Sequence, residues 1–204
     1  MRILVLGKEQ AFLDLIQLSS SIKWLRADDF TSFDNDEIAD AYFNLLDNAA
    51  LESYSNKKKP IFINSVSYTL IECNHSENVI RFNGWNGFIK RELWEMSGKI
   101  NHAHEEVLNT LGKKYVNLPD EPGFISPRVI SMIVNEAFFA KQENISTEEE
   151  IDIAMKLGTN YPKGPFEWEK EIGTKNIYFL LNTLSQIDPR YKPSNLLESK
   201  AGEK

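Results

Sequence analysis

Short, wholly apolar runs alternate with helically spaced apolar positions over the first 119 residues of the chain. Ile3-Leu4-Val5-Leu6 is such a run, ended by Gly7, and predicts a parallel strand buried on both faces. Phe12, Leu15 and Ile16 then recur at helical spacing, so a helix is predicted over 11–18. Residues 22–27 read as a second strand, with Asp28 and Asp29 at its end. Ala39, Phe43, Leu46 and Ala50 share one face of a helix predicted over 35–54. Strands are predicted at 60–63, 79–82, 93–96 and 115–118, with a helix at 101–111 before the last. Alternation of this kind belongs to an open, mostly parallel sheet.

The pattern changes at 119–123, where two prolines and a glycine fall within five residues. Such a cluster predicts a domain boundary, giving an α/β domain over 1–119 and an all-α domain over 120–204. A helix is predicted over 129–141, with Ile130, Ile133, Val134, Ala137 and Phe138 on its apolar side. Ser146-Thr147-Glu148-Glu149 reads as a capping box from Ser146 to Glu149, opening a helix that Gly158 ends. Gly164-Pro165-Phe166 opens a third helix, ended near Gly173. Thr174 is expected to cap a fourth, with Ile177, Leu180, Leu181 and Leu184 inward, and the polar tail 198–204 to fray.

Composition narrows the function classes. The chain has 204 residues and a net charge of -7, a poor balance for a general nucleic-acid binder. Its densest basic run, Lys57-Lys58-Lys59, reads as a solvated loop or a local contact to a phosphorylated small molecule. A single cysteine, Cys73, permits no intrachain disulfide, and the first apolar run breaks early into charge, as a buried strand and not a signal peptide. No apolar run is long enough to span a bilayer, so a cytoplasmic location is the expectation. His75, His102 and His104 read as ordinary exposed histidines without a metal pattern around them.

Several strings of the helical half fall in a telling order. They are Pro122-Gly123-Phe124-Ile125, Asn135-Glu136-Ala137, Ile151-Asp152-Ile153-Ala154-Met155-Lys156-Leu157-Gly158, Tyr161-Pro162-Lys163-Gly164-Pro165-Phe166-Glu167 and Tyr191-Lys192-Pro193-Ser194. Together they closely resemble the C-terminal domain of 3-hydroxyacyl-CoA dehydrogenases over most of 122–197. The resemblance implies a truncated Rossmann-like domain followed by the family's helical domain. It also implies an acyl-CoA-type ligand, a place in fatty acid metabolism, and homodimerisation through the helical domain.

In the family a His takes the hydroxyl proton and a Glu on the next strand orients it. Leu93-Trp94-Glu95-Met96 resembles the Glu segment, so Glu95 takes that place, but the His position falls on Asn83. An amide does not titrate in the useful range and cannot act as general base. The second polar position of that motif is kept as Asn86, and Asn64-Ser65-Val66-Ser67 resembles the loop whose Ser contacts substrate oxygen, by Ser65 or Ser67. A further family Asn falls on Pro127.

The resemblance also implies NAD. A dinucleotide fold wants G-x-G-x-x-G after its first strand, whereas Gly7-Lys8-Glu9-Gln10-Ala11-Phe12 keeps only Gly7. Glu9 brings negative charge to the phosphate position, and Asp28 or Asp29 stands where the ribose-binding acid belongs. The short span from Gly7 to Asn64 reads as the loss of one or more β-α units. These features point to a dehydrogenase-like protein that binds an acyl-CoA or related acid without normal hydride transfer. An active NAD-dependent enzyme and a non-catalytic interaction subunit are the alternatives.

Overall fold

Strands β1 (Arg2–Leu6), β2 (Lys23–Arg26), β3 (Ala41–Asn44), β4 (Ile61–Asn64), β5 (Val79–Phe82), β6 (Leu93–Ser97) and β7 (Lys114–Asn117) form one sheet. In the computed structural model, which describes residues 1–54 and 57–203, their order is β2-β1-β3-β4-β5-β6-β7. The first five are parallel; β6 runs antiparallel to β5, and β7 parallel to β6. Helices α1 (Glu9–Ile16), α2 (Phe30–Asp34) and α3 (His102–Thr110) belong to the same unit. The described residues divide into two compact units between Phe124 and Ile125, so 119–123 lies with the sheet.

The continuous apolar runs follow from burial on both faces. Ile3, Val5, Phe43, Phe62 and Phe82 pack on one side, with Leu15, Trp94, Val107 and Leu108. Leu4, Leu6, Tyr42, Ile61 and Ile63 pack on the other, with Phe33 and Tyr54. Phe43 and Phe62 stack with ring centroids 4.6 Å apart. Full burial of such a side chain stabilises by about 2–3 kcal/mol.

The helix predicted over 35–54 is not there. That stretch holds β3 and a short 3-10 turn at Ala49–Leu51, while α2 precedes it. All four residues of β3 are buried, so a central strand's unbroken apolar run coincided with helical spacing. Asn48, with φ 60°, leads into the 3-10 turn.

The second unit contains α4 (Ile125–Gln142), α5 (Glu148–Thr159), α6 (Pro165–Ile172), α7 (Thr174–Ser185) and α8 (Asn195–Gly202). Helix α4 starts earlier than its spacing predicts, with Pro127 in the first turn, where no intrahelical donor is required. The capping box lies one residue later than predicted. The Thr147 hydroxyl accepts from the Glu150 amide at 3.3 Å, while the Glu150 carboxylate accepts from the Thr147 amide at 3.2 Å. The Ser-Thr-Glu-Glu-Glu string fits the template in both registers, and Ser146 adds a 2.7 Å bond to Glu150. Helix α5 ends not at Gly158 but at Asn160, whose left-handed φ of 56° stops it.

Thr174 does not cap α7; Gly173, with φ 98°, is the boundary, and the Thr174 hydroxyl donates to the Glu169 carboxylate. The predicted inward face of Ile177, Leu180, Leu181 and Leu184 is buried. The tail is helical where fraying was expected, because Leu197 and Ala201 of α8 are buried; Lys204 lies outside the described residues.

Candidate functional site

The chain leaves β1 outward to β2 and then returns to β3 on the other side of β1. In open α/β sheets the carboxyl ends of the strands near such a reversal are where ligands bind. Three buried asparagines stand along these ends. Asn44 closes β3, Asn64 closes β4, and Asn83 follows β5. Asn44 donates to the Tyr54 hydroxyl at 2.8 Å and accepts from the Leu46 amide at 3.1 Å. Asn64 donates to the Leu45 carbonyl at 3.4 Å and accepts from the Gly84 amide at 3.1 Å, joining the ends of β3 and β5. A Cβ on Gly84 would meet the Asn64 Cβ at 2.9 Å, so the glycine admits this amide.

Asn83 and Glu95 are brought together as a cross-strand pair. The antiparallel register that sets Phe82 opposite Met96 continues to them, with the Asn83 amide donating to the Glu95 carbonyl at 3.0 Å. The Asn83 side-chain nitrogen donates to Glu95 Oε2 at 3.1 Å, and its oxygen accepts from the Trp85 amide at 3.4 Å. The arrangement can orient and accept hydrogen bonds.

The other predicted site residues are spread along the same end of the sheet. Ser65 is fully buried and donates its hydroxyl to the Tyr68 carbonyl at 2.9 Å. Ser67 is also buried, whereas Asn86 is exposed in the turn after β5. That turn is held by Lys113, which donates to the Ile89 carbonyl at 3.0 Å and the Arg91 carbonyl at 2.8 Å. Burial lowers the Lys113 pKa.

Gly7 is half-buried after β1, and a Cβ there would meet the Leu45 Cβ at 2.9 Å. At the turn into α1, Lys8 reaches Asp47 beyond β3 at 2.7 Å, and Glu9 pairs with Arg26 of β2. Asp28 is exposed at the end of β2. Asp29 caps α2, accepting from the Ser32 amide at 2.7 Å, and this bond lowers its pKa.

Lys57 is not part of a solvated loop. It is buried over the Tyr42 ring and donates to the carbonyls of Asp34 at 2.8 Å and Asp36 at 2.7 Å, while Lys58 and Lys59 are exposed. His104, expected on the surface, is fully buried. Its Nε2 lies 3.0 Å from the Asn78 carbonyl and its Nδ1 2.9 Å from Asn101 Oδ1. His75 is half-buried against the Ala50 carbonyl at 2.7 Å, and only His102 is exposed as predicted. Sequence reasoning had no signal for these placements, because each is made by a contact distant in the chain.

In the helical unit the ordered strings meet each other. Asn135 donates to the Lys192 carbonyl at 2.9 Å and accepts from the Ser194 amide at 2.9 Å, binding the start of α8 to α4. Asp152 accepts from the Phe166 amide at 2.7 Å, capping α6 from α5. A Cβ on Gly164 would overlap that carboxylate.

Residues 123–204 match the family model for the 3-hydroxyacyl-CoA dehydrogenase C-terminal domain. Over these residues the chain carries the C-terminal domain of the 3-hydroxyacyl-CoA dehydrogenase family. It is 40% identical over 96 residues to 3-hydroxyadipyl-CoA dehydrogenase of Escherichia coli K12, covering 46% of this chain and 20% of that one. It is 32% identical over 139 residues to a probable 3-hydroxybutyryl-CoA dehydrogenase of Bacillus subtilis, covering 63% and 48%. The chain therefore spans at most about half the length of these curated relatives.

Among solved structures, FadB2 of M. tuberculosis superposes with a TM-score of 0.75 at 14% identity, covering 97% of this chain and 92% of that one. The (S)-3-hydroxybutyryl-CoA dehydrogenase PaaH1 of Ralstonia eutropha gives 0.66 at 19%, covering 97% and 92%. At these identities the likeness establishes the fold: a Rossmann-like sheet unit and the family's helical domain. The motifs that mark the family here are architectural, since Asn135, Asp152 and Gly164 all serve helix junctions.

Proposed function

We propose that this chain is a member of the 3-hydroxyacyl-CoA dehydrogenase family that binds an acyl-CoA or related acid without hydride transfer. The observation that carries this reading is the Asn83–Glu95 pair, an amide donating at 3.1 Å to the carboxylate where the family places a titrating imidazole. The amide can hold a carbonyl or hydroxyl by hydrogen bonds but cannot take its proton. The turn into α1 supports the same reading. The Glu9 carboxylate and the Lys8–Asp47 ion pair do not fit a pyrophosphate, which needs bare backbone at a helix start. Gly7 and Asp28 then stand as remnants of a dinucleotide site that this turn no longer completes.

Glu95, Asn83, Asn86 and one serine of the Asn64–Ser67 loop are the residues proposed to meet the ligand. Ser65 is the less available serine, its hydroxyl being spent on Tyr68. Lys58 and Lys59, but not Lys57, remain for a phosphate. The proposal places the protein in the cytoplasm, where the lone thiol of Cys73 stays reduced.

Thermal-shift titrations with acetoacetyl-CoA and, separately, NADH test the reading. Stabilisation by acetoacetyl-CoA alone is expected, since a ligand that binds only the folded state raises its stability. Stabilisation by NADH followed by turnover would establish the active enzyme instead.

A second reading, pairing of copies through the helical domain, is favoured by one observation. Ile153 and Leu157, one turn apart on α5, are 53% and 83% exposed. Sedimentation of wild type against Leu157→Glu tests it; a wild-type monomer would remove it.

A further inference from the structure

Among the described residues Arg81 is the largest charged side chain buried completely in the sheet unit. It stands on β5 two residues before Asn83 and therefore shares its face. Its Nε donates to Asp120 at 2.5 Å, one Nη to the Glu121 carbonyl at 2.5 Å, and the other to the Ser65 carbonyl at 3.2 Å. The guanidinium also lies 4.5 Å from the centre of the Phe124 ring. Asp120 accepts in addition from the Ile71 amide at 3.0 Å. The Gly123 amide donates to the Val66 carbonyl at 2.6 Å, closing the same assembly.

One planar fork thus joins three separate stretches: the loop that follows β4, the strand that leads to Asn83, and the segment 120–124. A lysine could supply the charge but not three donors in fixed directions. We infer that Arg81 is a positioning residue, which sets the conformation of the Asn64–Ser67 loop and through it the affinity for the ligand. The link to affinity rests on the acyl-CoA reading; the link to the loop does not. Arg81 itself is too deeply buried to touch a ligand.

The test uses Arg81→Lys and Asp120→Asn in the full chain, each measured for amide hydrogen exchange and for acetoacetyl-CoA affinity by calorimetry. The expected result is exchange at Ile71 and Gly123 faster by about tenfold or more, the worth of one charged hydrogen bond, with β1 amides unchanged. Acetoacetyl-CoA binding is expected to weaken by a similar factor. A uniform rise in exchange across the sheet would overturn the inference, because Arg81 would then only stabilise the fold. Unchanged affinity beside a loosened loop would overturn it too. Should Arg81→Lys fail to fold, Asp120→Asn removes the same anchor while keeping the buried volume. Absence of acetoacetyl-CoA binding by the wild type would defeat the proposed function, while the exchange pattern would still decide what Arg81 holds.

Discussion

Asp152 on α5 caps α6 through the Phe166 amide, at 2.7 Å, and the carboxylate occupies the space that a Gly164 side chain would need. Gly164→Ala is expected to destabilise the protein by about 2–3 kcal/mol through overpacking, and Asp152→Ala by about 1–2 kcal/mol through loss of the cap. The double variant should be less unstable than the sum, since removing the carboxylate makes room for the methyl. Urea denaturation of the four proteins checks this; strict additivity would contradict the contact.

His104 makes stability depend on pH. Burial lowers its pKa below the ordinary 6.5, so the folded state favours neutral imidazole. As pH falls below about 6.5 the unfolded chain binds the proton first, and stability drops until the folded pKa is passed. Above that window the contribution is fully present. Denaturation midpoints of wild type and His104→Gln between pH 7.5 and 5 should converge as pH falls, to about the extent of this linkage. Parallel curves would show that His104 titrates normally.

Lys57 anchors the end of α2. Its two bonds to the Asp34 and Asp36 carbonyls should make Lys57→Met less stable by about 2 kcal/mol. Lys59→Met, at an exposed position, should change stability by less than about 0.5 kcal/mol. Equal effects in thermal denaturation would return Lys57 to the surface.

Asn83→His would set an imidazole beside Glu95, restoring the pair that the proposed function assigns to these two positions. The neighbouring carboxylate is expected to hold its pKa above that of the buried His104, read by NMR titration. Reduction of acetoacetyl-CoA by NADH should stay at background, because Glu9 and the Lys8–Asp47 pair are untouched. Turnover in this variant would mean that the turn into α1 does admit the dinucleotide.

Most strands were legible because they are unbroken apolar runs, and α3 and α6 because spacing and end signals coincide, whereas α1 lies two residues earlier than its spacing predicts and α7 already includes the Thr174 expected to cap it. β3 was not, since four buried residues between Ala39 and Leu46 fit a helical face equally well. Register was lost where two residues could fill one role, as at Ser146 and Thr147. At the site, Asn83 and Glu95 could be placed through the resemblance to the family. Asn44 and Arg81 could not, for their meaning lies in partners up to 40 positions away, and Asn64 was legible only as part of its loop and not for the Gly84 amide that it holds. Local pattern carries no trace of such contacts.

The asparagines that close β3, β4 and β5 have one more consequence. Amides exchange no charge across about pH 4 to 10, so this stretch of the sheet keeps fixed dipoles whatever the acidity around it. Acidification therefore leaves the three amides themselves electrically unaltered, and the bonds by which Asn44 and Asn64 tie the strand ends keep the same polarity throughout that range.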